Sequence, residues 1–386
     1  MSLEKHYGKN FSMQNKKTLR NLIALTLIPG LGSKRVKNLV RECDALEKLF
    51  SFSKTQLRSY EGIGEASALA ILSFNDWDQV DDVLAETEKI GADIITLKDP
   101  EYPMLLKEIY DPPILFWIKG NPEALSKPGV AVVGTRNAST YGKKQAEKLT
   151  TKLALEDLCI FSGLAYGIDT IGHQAALNAN APTVAVLGSG IDNLYPKSNA
   201  EIANQIVKSG GAVISEFPPG TIPDKGNFPL RNRVVSGLSL GVVVMESGIK
   251  GGSMITAELA LDQNREVFAV PHPLDNPSGT GCNYLIKKGA AKLVQVVDDI
   301  LVELPINYSS GKDVTHIEET KVQGWREYEL DDLGKQICEE LEKNAIQIDD
   351  LADVLEKNTS EILVALLQLE MQDLITQKAG KVFELR

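Results

Sequence analysis

The densest set of ligand-capable side chains runs from Val130 to Gly142, Val-Ala-Val-Val-Gly-Thr-Arg-Asn-Ala-Ser-Thr-Tyr-Gly. Val130 to Val133 are four apolar residues in a row, which suits a strand covered on both faces. Gly134 permits a turn. Thr135, Arg136, Asn137, Ser139 and Thr140 then crowd hydroxyls, an amide and a guanidinium at the start of a helix. Free N–H groups at a helix N-terminus attract anions, so the pattern predicts a phosphate-binding loop. It lacks the Gly-x-Gly-x-x-Gly spacing of a dinucleotide site and the Gly-Lys-Ser/Thr of an ATPase loop. Further loops carry similar chemistry. Ser162-Gly163-Leu164-Ala165-Tyr166-Gly167-Ile168-Asp169 precedes a helix with His173 and Gln174. Gly188-Ser189-Gly190-Ile191-Asp192 ends in Tyr195-Pro196, and Ser215-Glu216-Phe217-Pro218-Pro219-Gly220 follows. Lys225-Gly226-Asn227-Phe228-Pro229-Leu230-Arg231-Asn232-Arg233 opens one helix, and Glu246-Ser247-Gly248-Ile249-Lys250-Gly251-Gly252-Ser253 leads into another.

Glycines let backbone approach a ligand closely. Arg136, Lys225, Arg231 and Arg233 supply charge for phosphates. Tyr141, Tyr195 and Phe228 offer faces on which bases stack without regard to sequence. Structural roles compete for several of these residues. Arg231 and Arg233 can brace the loops against Glu216, Glu246 or Asp169, with Arg233 the better fit to bracing. Asp169 can cap a helix. His173 suits a buried structural histidine, Phe228 a core position, and Gly163 and Gly167 plain turns. Arg136 and Lys225 have the fewest such alternatives.

These loops need a scaffold that delivers them to one edge. Between 128 and 304, apolar runs at 130–133, 158–161, 183–187, 212–214, 240–245, 267–270 and 292–297 alternate with helix-length amphipathic segments. That is the signature of an α/β fold with a doubly wound, mostly parallel sheet. Ligands there sit at strand carboxyl ends, near a topological switch point. Residues 1–75 read as a helical domain with two glycine hairpins, Pro29-Gly30-Leu31-Gly32 and Glu61-Gly62-Ile63-Gly64. They resemble a tandem helix-hairpin-helix, whose turns hold DNA phosphates through backbone N–H groups. The basic flank of the first copy suits DNA contact through Gly30, Gly32, Lys34 and Arg35. Glu61 and Glu65 suit the second copy poorly for it. Residues 76–127 read as a connecting segment packed on the core, with a helix at Val80–Ile90 and a strand at Asp93–Leu97. Residues 305–328 read as a linker. Residues 329–386 have the order of a winged helix: Leu333–Lys343, Ile348–Leu355, Ser360–Met371, then a hairpin of residues 374–377 and 381–384. The third helix carries Glu361 and Glu370 and no basic residue, which favours protein contact or packing over DNA reading.

The bulk numbers fit this picture. With 386 residues and 43% hydrophobic content, two or three ordinary globular domains are expected. The net charge of −11 conceals segregation: 1–58 holds twelve basic against four acidic residues, 59–127 five against fourteen, and 329–386 six against fourteen. Local fields therefore say more about partners than the average does. Cys43, Cys159, Cys282 and Cys338 form no Cys-x-x-Cys pair, and His6, His173, His272 and His316 show no ligand spacing. No disulfide framework, metal or cofactor is expected, and a reducing compartment fits. No apolar run of spanning length occurs, and the polar stretch 1–17 is unlike a secretory signal. The expectation is a cytoplasmic protein.

Taken in order, these motifs resemble the DNA-processing protein A family (DprA, also called Smf). The resemblance covers nearly all of the chain. It rests on Gly134-Thr135-Arg136 with Ser139, Tyr141 and Gly142; on Ser162-Gly163-Leu164-Ala165 with Gly167-Ile168-Asp169; on Phe228-Pro229-Leu230-Arg231-Asn232-Arg233 with Gly237-Leu238-Ser239; and on Gly252-Ser253 with Ile255-Thr256-Ala257, continuing through Arg265 to Pro271. It implies an extended Rossmann-like domain between a helix-hairpin-helix-like domain and a winged helix. It also implies a binding protein rather than an enzyme. Such a protein holds single-stranded DNA in the Rossmann-like domain, often as a homodimer. It helps load the RecA recombinase during natural transformation, in competition with single-strand-binding protein. The family's binding residues fall on Arg136, Lys225 and Phe228. The full expected surface comprises Gly134, Thr135, Arg136, Ser139, Tyr141, Ser162, Gly163, Gly167, Lys225, Phe228, Arg231, Asn232, Gly252 and Ser253. One departure is His272, where the family usually has glycine; it bears on the turn and on the loop 273–281. Two rival readings remain. One is a nucleotide N-glycosidase or phosphoribohydrolase using Asp169 and Glu258 near Gly251-Gly252 and Thr256. The other is an interaction scaffold whose acidic segments recruit proteins.

Overall fold

In the computed structural model, one sheet contains β1 (Asp93–Thr96), β2 (Leu115–Gly120), β3 (Gly129–Gly134), β4 (Cys159–Ser162), β5 (Thr183–Leu187), β6 (Ala212–Ser215), β7 (Gly241–Glu246), β8 (Glu266–Ala269) and β9 (Lys292–Leu293). The structure describes residues 13–31, 33–305, 325–328, 330–355, 357–372, 374–378 and 382–385. Contacts divide the chain into Met1–Asn307 and Tyr308–Arg386.

Strand order is β1-β2-β6-β5-β4-β3-β7-β8-β9. From β6 to β9 every pairing is parallel. The apolar run of β3 explains its central place. Val130 and Val132 join Leu149 and Leu153 in the core on one face. Ala131 and Val133 join the larger core on the other. Each buried valine contributes about 2 kcal/mol. The chain leaves β3 through the helix Thr140–Leu155 toward β4, and leaves β7 through the helix Gly252–Asp262 toward β8. β3 and β7 are neighbours whose connections run in opposite directions, so a crevice opens above their carboxyl ends.

The segment before β3 does more than pack on the sheet. β2 runs antiparallel to β6, Trp117 opposite Ser215, and β1 runs antiparallel to β2. Ile114 to Ile118 are all buried, which a two-faced apolar run requires. The N-terminal helices include Met13–Leu27, Ser33–Glu42, Lys54–Arg58 and Glu65–Leu72. Gly30 (φ 76°) and Gly62 (φ 81°) make the two expected turns in left-handed backbone. Gly32 and the side chain of Lys34 lie outside the described residues, and Arg35 is exposed. The basic helix Ser33–Glu42 spends part of its charge internally. Lys37 Nζ donates to the carbonyls of Ile109 and Tyr110 at 2.8 and 2.9 Å, and Arg41 donates to that of Lys107 at 3.1 Å. These carbonyls lie at the end of the helix Met104–Glu108, where cations satisfy unpaired acceptors.

The second unit is a winged helix. Helices Asp332–Leu341, Ile348–Val354 and Thr359–Met371 pack against β10 (Ile346–Gln347), β11 (Ile375–Lys378) and β12 (Val382–Leu385), ordered β10-β12-β11. β10 is not anticipated by the sequence. Its two residues gain strand character by pairing with Val382 and Phe383. The expected wing turn at 379–381 and residues 306–324 of the expected linker lie outside the described residues. Helix Thr359–Met371 buries Ile362, Ala365, Leu366 and Leu369 and leaves Leu363, Val364 and Leu367 exposed. No described helix is long and apolar enough to cross a membrane.

The Lys37 staple is testable. Lys37→Ala leaves the buried Ile109 carbonyl unpaired and costs about 2 kcal/mol by urea unfolding. A cost near zero would contradict the staple.

Candidate nucleic-acid interface

A cleft of about 350 Å³ opens above the carboxyl ends of β3, β4 and β7. Gly134, Thr135 and Arg136 line it after β3, and Gly163, Ala165 and Asp169 after β4. Phe228, Arg231, Asn232 and Val235 come from the helix Asn227–Gly237, and Gly248, Gly251, Gly252, Ser253 and Thr256 from the loop and helix after β7. The structure thus gathers most of the expected surface in one place. Lys225, Ser139, Tyr141, Ser162 and Gly167 are not part of this lining.

The start of the helix Thr140–Leu155 explains two of those placements. Its expected anion is supplied from within. Glu246, fully buried at the end of β7, points its carboxylate at the helix start. Oε2 accepts the Ser139 N–H at 2.9 Å, and Oε1 accepts from Asn276 Nδ2 at 3.3 Å. The Glu246 carbonyl accepts the Thr135 N–H at 2.7 Å. Ser139 is the N-cap, its hydroxyl accepting the Gly142 N–H at 3.1 Å. A Cβ on Gly142 would lie 1.9 Å from Glu246 Oε2, so only glycine admits the carboxylate. A negative charge is favoured at this end of a helix. Ser139 and this helix end therefore position the loop, and an external phosphate does not find those donors free. Tyr141 donates its hydroxyl to the Pro271 carbonyl at 3.0 Å and sits edge-on to His272. Ser162 is buried and donates to the Val132 carbonyl at 2.6 Å.

His272 is a strut for the turn. Its Nε2–H donates to the Met245 carbonyl at 2.9 Å, which leaves Nδ1 to accept from Asn276 Nδ2 at 3.1 Å. Gly279 makes the room, since a Cβ there would come within 2.2 Å of the ring.

Arg136 is exposed and lies 5.2 Å from the Phe228 ring centroid, a cation–π distance. Among the described residues it has no ion pair. Gly167, at φ 77°, passes under the Thr135 and Arg136 carbonyls, where a Cβ would lie 2.4 and 2.6 Å away. Its place is thus beneath the loop. Phe228 is half-buried, 6.0 Å from the Tyr195 ring, and Gly188 makes space beside it. Lys225 is exposed and has no ion pair among the described residues.

The other arginines are framework. Arg231 is buried and donates to the Val186 carbonyl at 2.5 Å. Burial pushes its guanidinium down to about 10, still charged at neutral pH, against the pull of Asp169. A Cβ on Gly163 would strike that guanidinium at 1.9 Å. Asp169 accepts the N–H groups of Gly163 and Ala165 at 3.2 and 3.3 Å. Burial raises its carboxyl against the lowering effect of Arg231 and these bonds. Arg233 is held by Glu216 at 2.5 and 2.6 Å and by Asp111 at 3.2 Å. His173 is buried. The one hydroxyl proton of Thr183 goes to the Ile160 carbonyl, so His173 Nδ1–H donates to Thr183 Oγ1 at 2.8 Å. Glu258 is exposed and outside the cleft lining. Val235, which the sequence motifs do not flag, and Val133 at the end of β3 form apolar lining. Among the described residues no cluster suits a metal ion.

The profile of DNA recombination-mediator protein A matches residues 93–305, and that of the DprA winged helix domain matches 326–381. The chain belongs to the DprA/Smf family. It is 43% identical over 224 residues to the DNA processing protein DprA of Bacillus subtilis, covering 58% of this chain and 75% of that one. It is 30% identical to the protein Smf of Synechocystis, covering 94% and 98%. The X-ray structure of DprA from Streptococcus pneumoniae superposes with a TM-score of 0.63 at 35% identity, covering 77% of this chain and 99% of that one. The recombination-mediator match, at residues 93–305, spans the whole sheet, β1 and β2 included.

Burial, with the Arg231 charge, pushes the His173 imidazole down to about 3 from 6.5. Between those values the unfolded chain takes a proton that the folded protein refuses. This contribution is complete above pH ~6.5 and is lost as pH falls toward ~3, by at most about 1.4 kcal/mol per pH unit. Asp169, shifted upward, contributes the opposite slope in both proteins. Urea unfolding at several pH values should therefore show a flatter acid limb for His173→Gln than for wild type. Equal limbs would contradict a neutral buried imidazole.

Proposed function

We propose that the chain is a single-stranded DNA-binding recombination mediator, a binding protein rather than an enzyme. In this reading it protects incoming DNA and helps load RecA during natural transformation, in the cytoplasm. The observation that carries the reading is Arg136, an exposed guanidinium on the face of Phe228, beside a cleft whose other arginine is bonded internally. Arg136, Lys225 and the glycine-rich strand ends hold phosphates. Bases stack near Phe228 and Tyr195, a sequence-tolerant mode. The glycosidase reading is disfavoured because Glu258 is outside the cleft lining and Asp169 is committed to backbone N–H groups.

Protein partners fit other surfaces. Leu363, Val364 and Leu367 form an exposed apolar strip beside Glu361 on the third winged-helix helix, which supports protein contact there, RecA and single-strand-binding protein being the expected partners. Exposed Leu293 and Val296 lie on and just after the edge strand β9, which supports a homodimer through the Rossmann-like domain.

Fluorescence anisotropy with labelled oligo-dT tests the site. Arg136→Ala and Lys225→Ala should each weaken binding by about tenfold or more, and wild-type affinity should fall steeply with salt. Wild-type affinity in both variants at moderate salt would place the strand elsewhere. Wild-type protein should also speed RecA assembly on strands coated with single-strand-binding protein, and Arg136→Ala should not.

A further inference from the structure

Arg136 belongs to two depressions. Besides the cleft, a shallower one of about 490 Å³ includes Arg136, Lys143, Tyr166 and Asn199 in its lining. The two linings share Arg136 and no other residue. Tyr166 is 47% exposed. Lys143, on the first turn of the helix Thr140–Leu155, is exposed and has no ion pair among the described residues. No carboxylate lines this depression.

Its frame is held in place. Asn199 Nδ2 donates to the Leu164 carbonyl at 2.9 Å and to Thr170 Oγ1 at 2.8 Å. The Ile168 N–H bonds the Thr135 carbonyl at 3.2 Å, tying the Tyr166-Gly167 turn to the Arg136 loop. An exposed ring and an unpaired ammonium, with no opposing carboxylate, match a base and its phosphate.

The geometry points to a second nucleotide subsite on this depression, occupied by the same single strand that fills the cleft. The strand crosses Arg136, stacks a base on Tyr166 and sets a phosphate against Lys143. Tyr195, Phe228, Arg136 and Tyr166 then form one path of aromatic faces with the Arg136 charge between Phe228 and Tyr166. This rests on the single-stranded DNA reading above.

Anisotropy on the full chain with oligo-dT of about four and about sixteen nucleotides tests it. Tyr166→Ala should weaken the long oligomer about tenfold and leave the short one unchanged. Tyr166→Trp should retain wild-type binding. Lys143→Ala should lower the salt slope by about 0.7 on the long oligomer alone. Wild-type binding of the long oligomer by both alanine variants, or equal loss on both lengths, overturns the second subsite. Arg136→Ala separates the two ideas. If it loses affinity while the Tyr166 and Lys143 variants do not, only the subsite falls. If it too binds like wild type, the cleft reading falls as well.

Discussion

The buried carboxylate of Glu246 at the start of the helix Thr140–Leu155 is the contact on which the site depends. In a Rossmann-like crevice, the helix after the first parallel strand ordinarily offers its N–H groups to a ligand's phosphate. Here a neighbouring strand supplies the anion, and the helix dipole offsets its burial. The loop between β3 and that helix is thereby anchored at both ends, Thr135 on the Glu246 carbonyl and Ser139 on its carboxylate. Gly134 and Gly142 are glycines because Cβ atoms there would collide with Ile168 and Glu246. The middle of the loop, Arg136, is left outside. The exposure of Arg136 is thus a consequence of the internal anion.

The contrast among the cationic side chains follows from burial. Arg231 and Arg233 are desolvated, and a buried guanidinium is tolerated only with partners. The Val186 carbonyl meets Arg231, which also feels the Asp169 charge, and Glu216 and Asp111 meet Arg233. Removing a partner would leave an uncompensated buried charge, costing about 3–5 kcal/mol. Arg136 and Lys225 incur no such cost and bring no such constraint. They are available for phosphates whose counterions are released on binding.

Sequence shows a two-faced apolar run as a buried strand, because period and composition are local. It also shows which loops a parallel sheet gathers, so the cleft lining is largely legible. What sequence hides is pairing at long range. Glu246 and Ser139 are 107 residues apart, and nothing local marks that glutamate as the helix anchor. Lys37 reads as one charge of a basic helix until the carbonyls of Ile109 and Tyr110 appear beneath it. His272 reads as a misplaced turn residue until Gly279 is seen to make room for it. β10 exists only through its partner strand. Each case is a residue whose meaning is set by a distant contact rather than by its neighbours in the chain.

The most direct measurement is photocrosslinking of an oligonucleotide carrying 5-iodouracil to the full chain, with the attached peptides mapped by mass spectrometry. Attachment within 134–143 and 225–232 is the predicted result, with Phe228 the main acceptor. Attachment confined to the helices Ser33–Glu42 or Thr359–Met371 would contradict a strand held at Arg136 and Phe228.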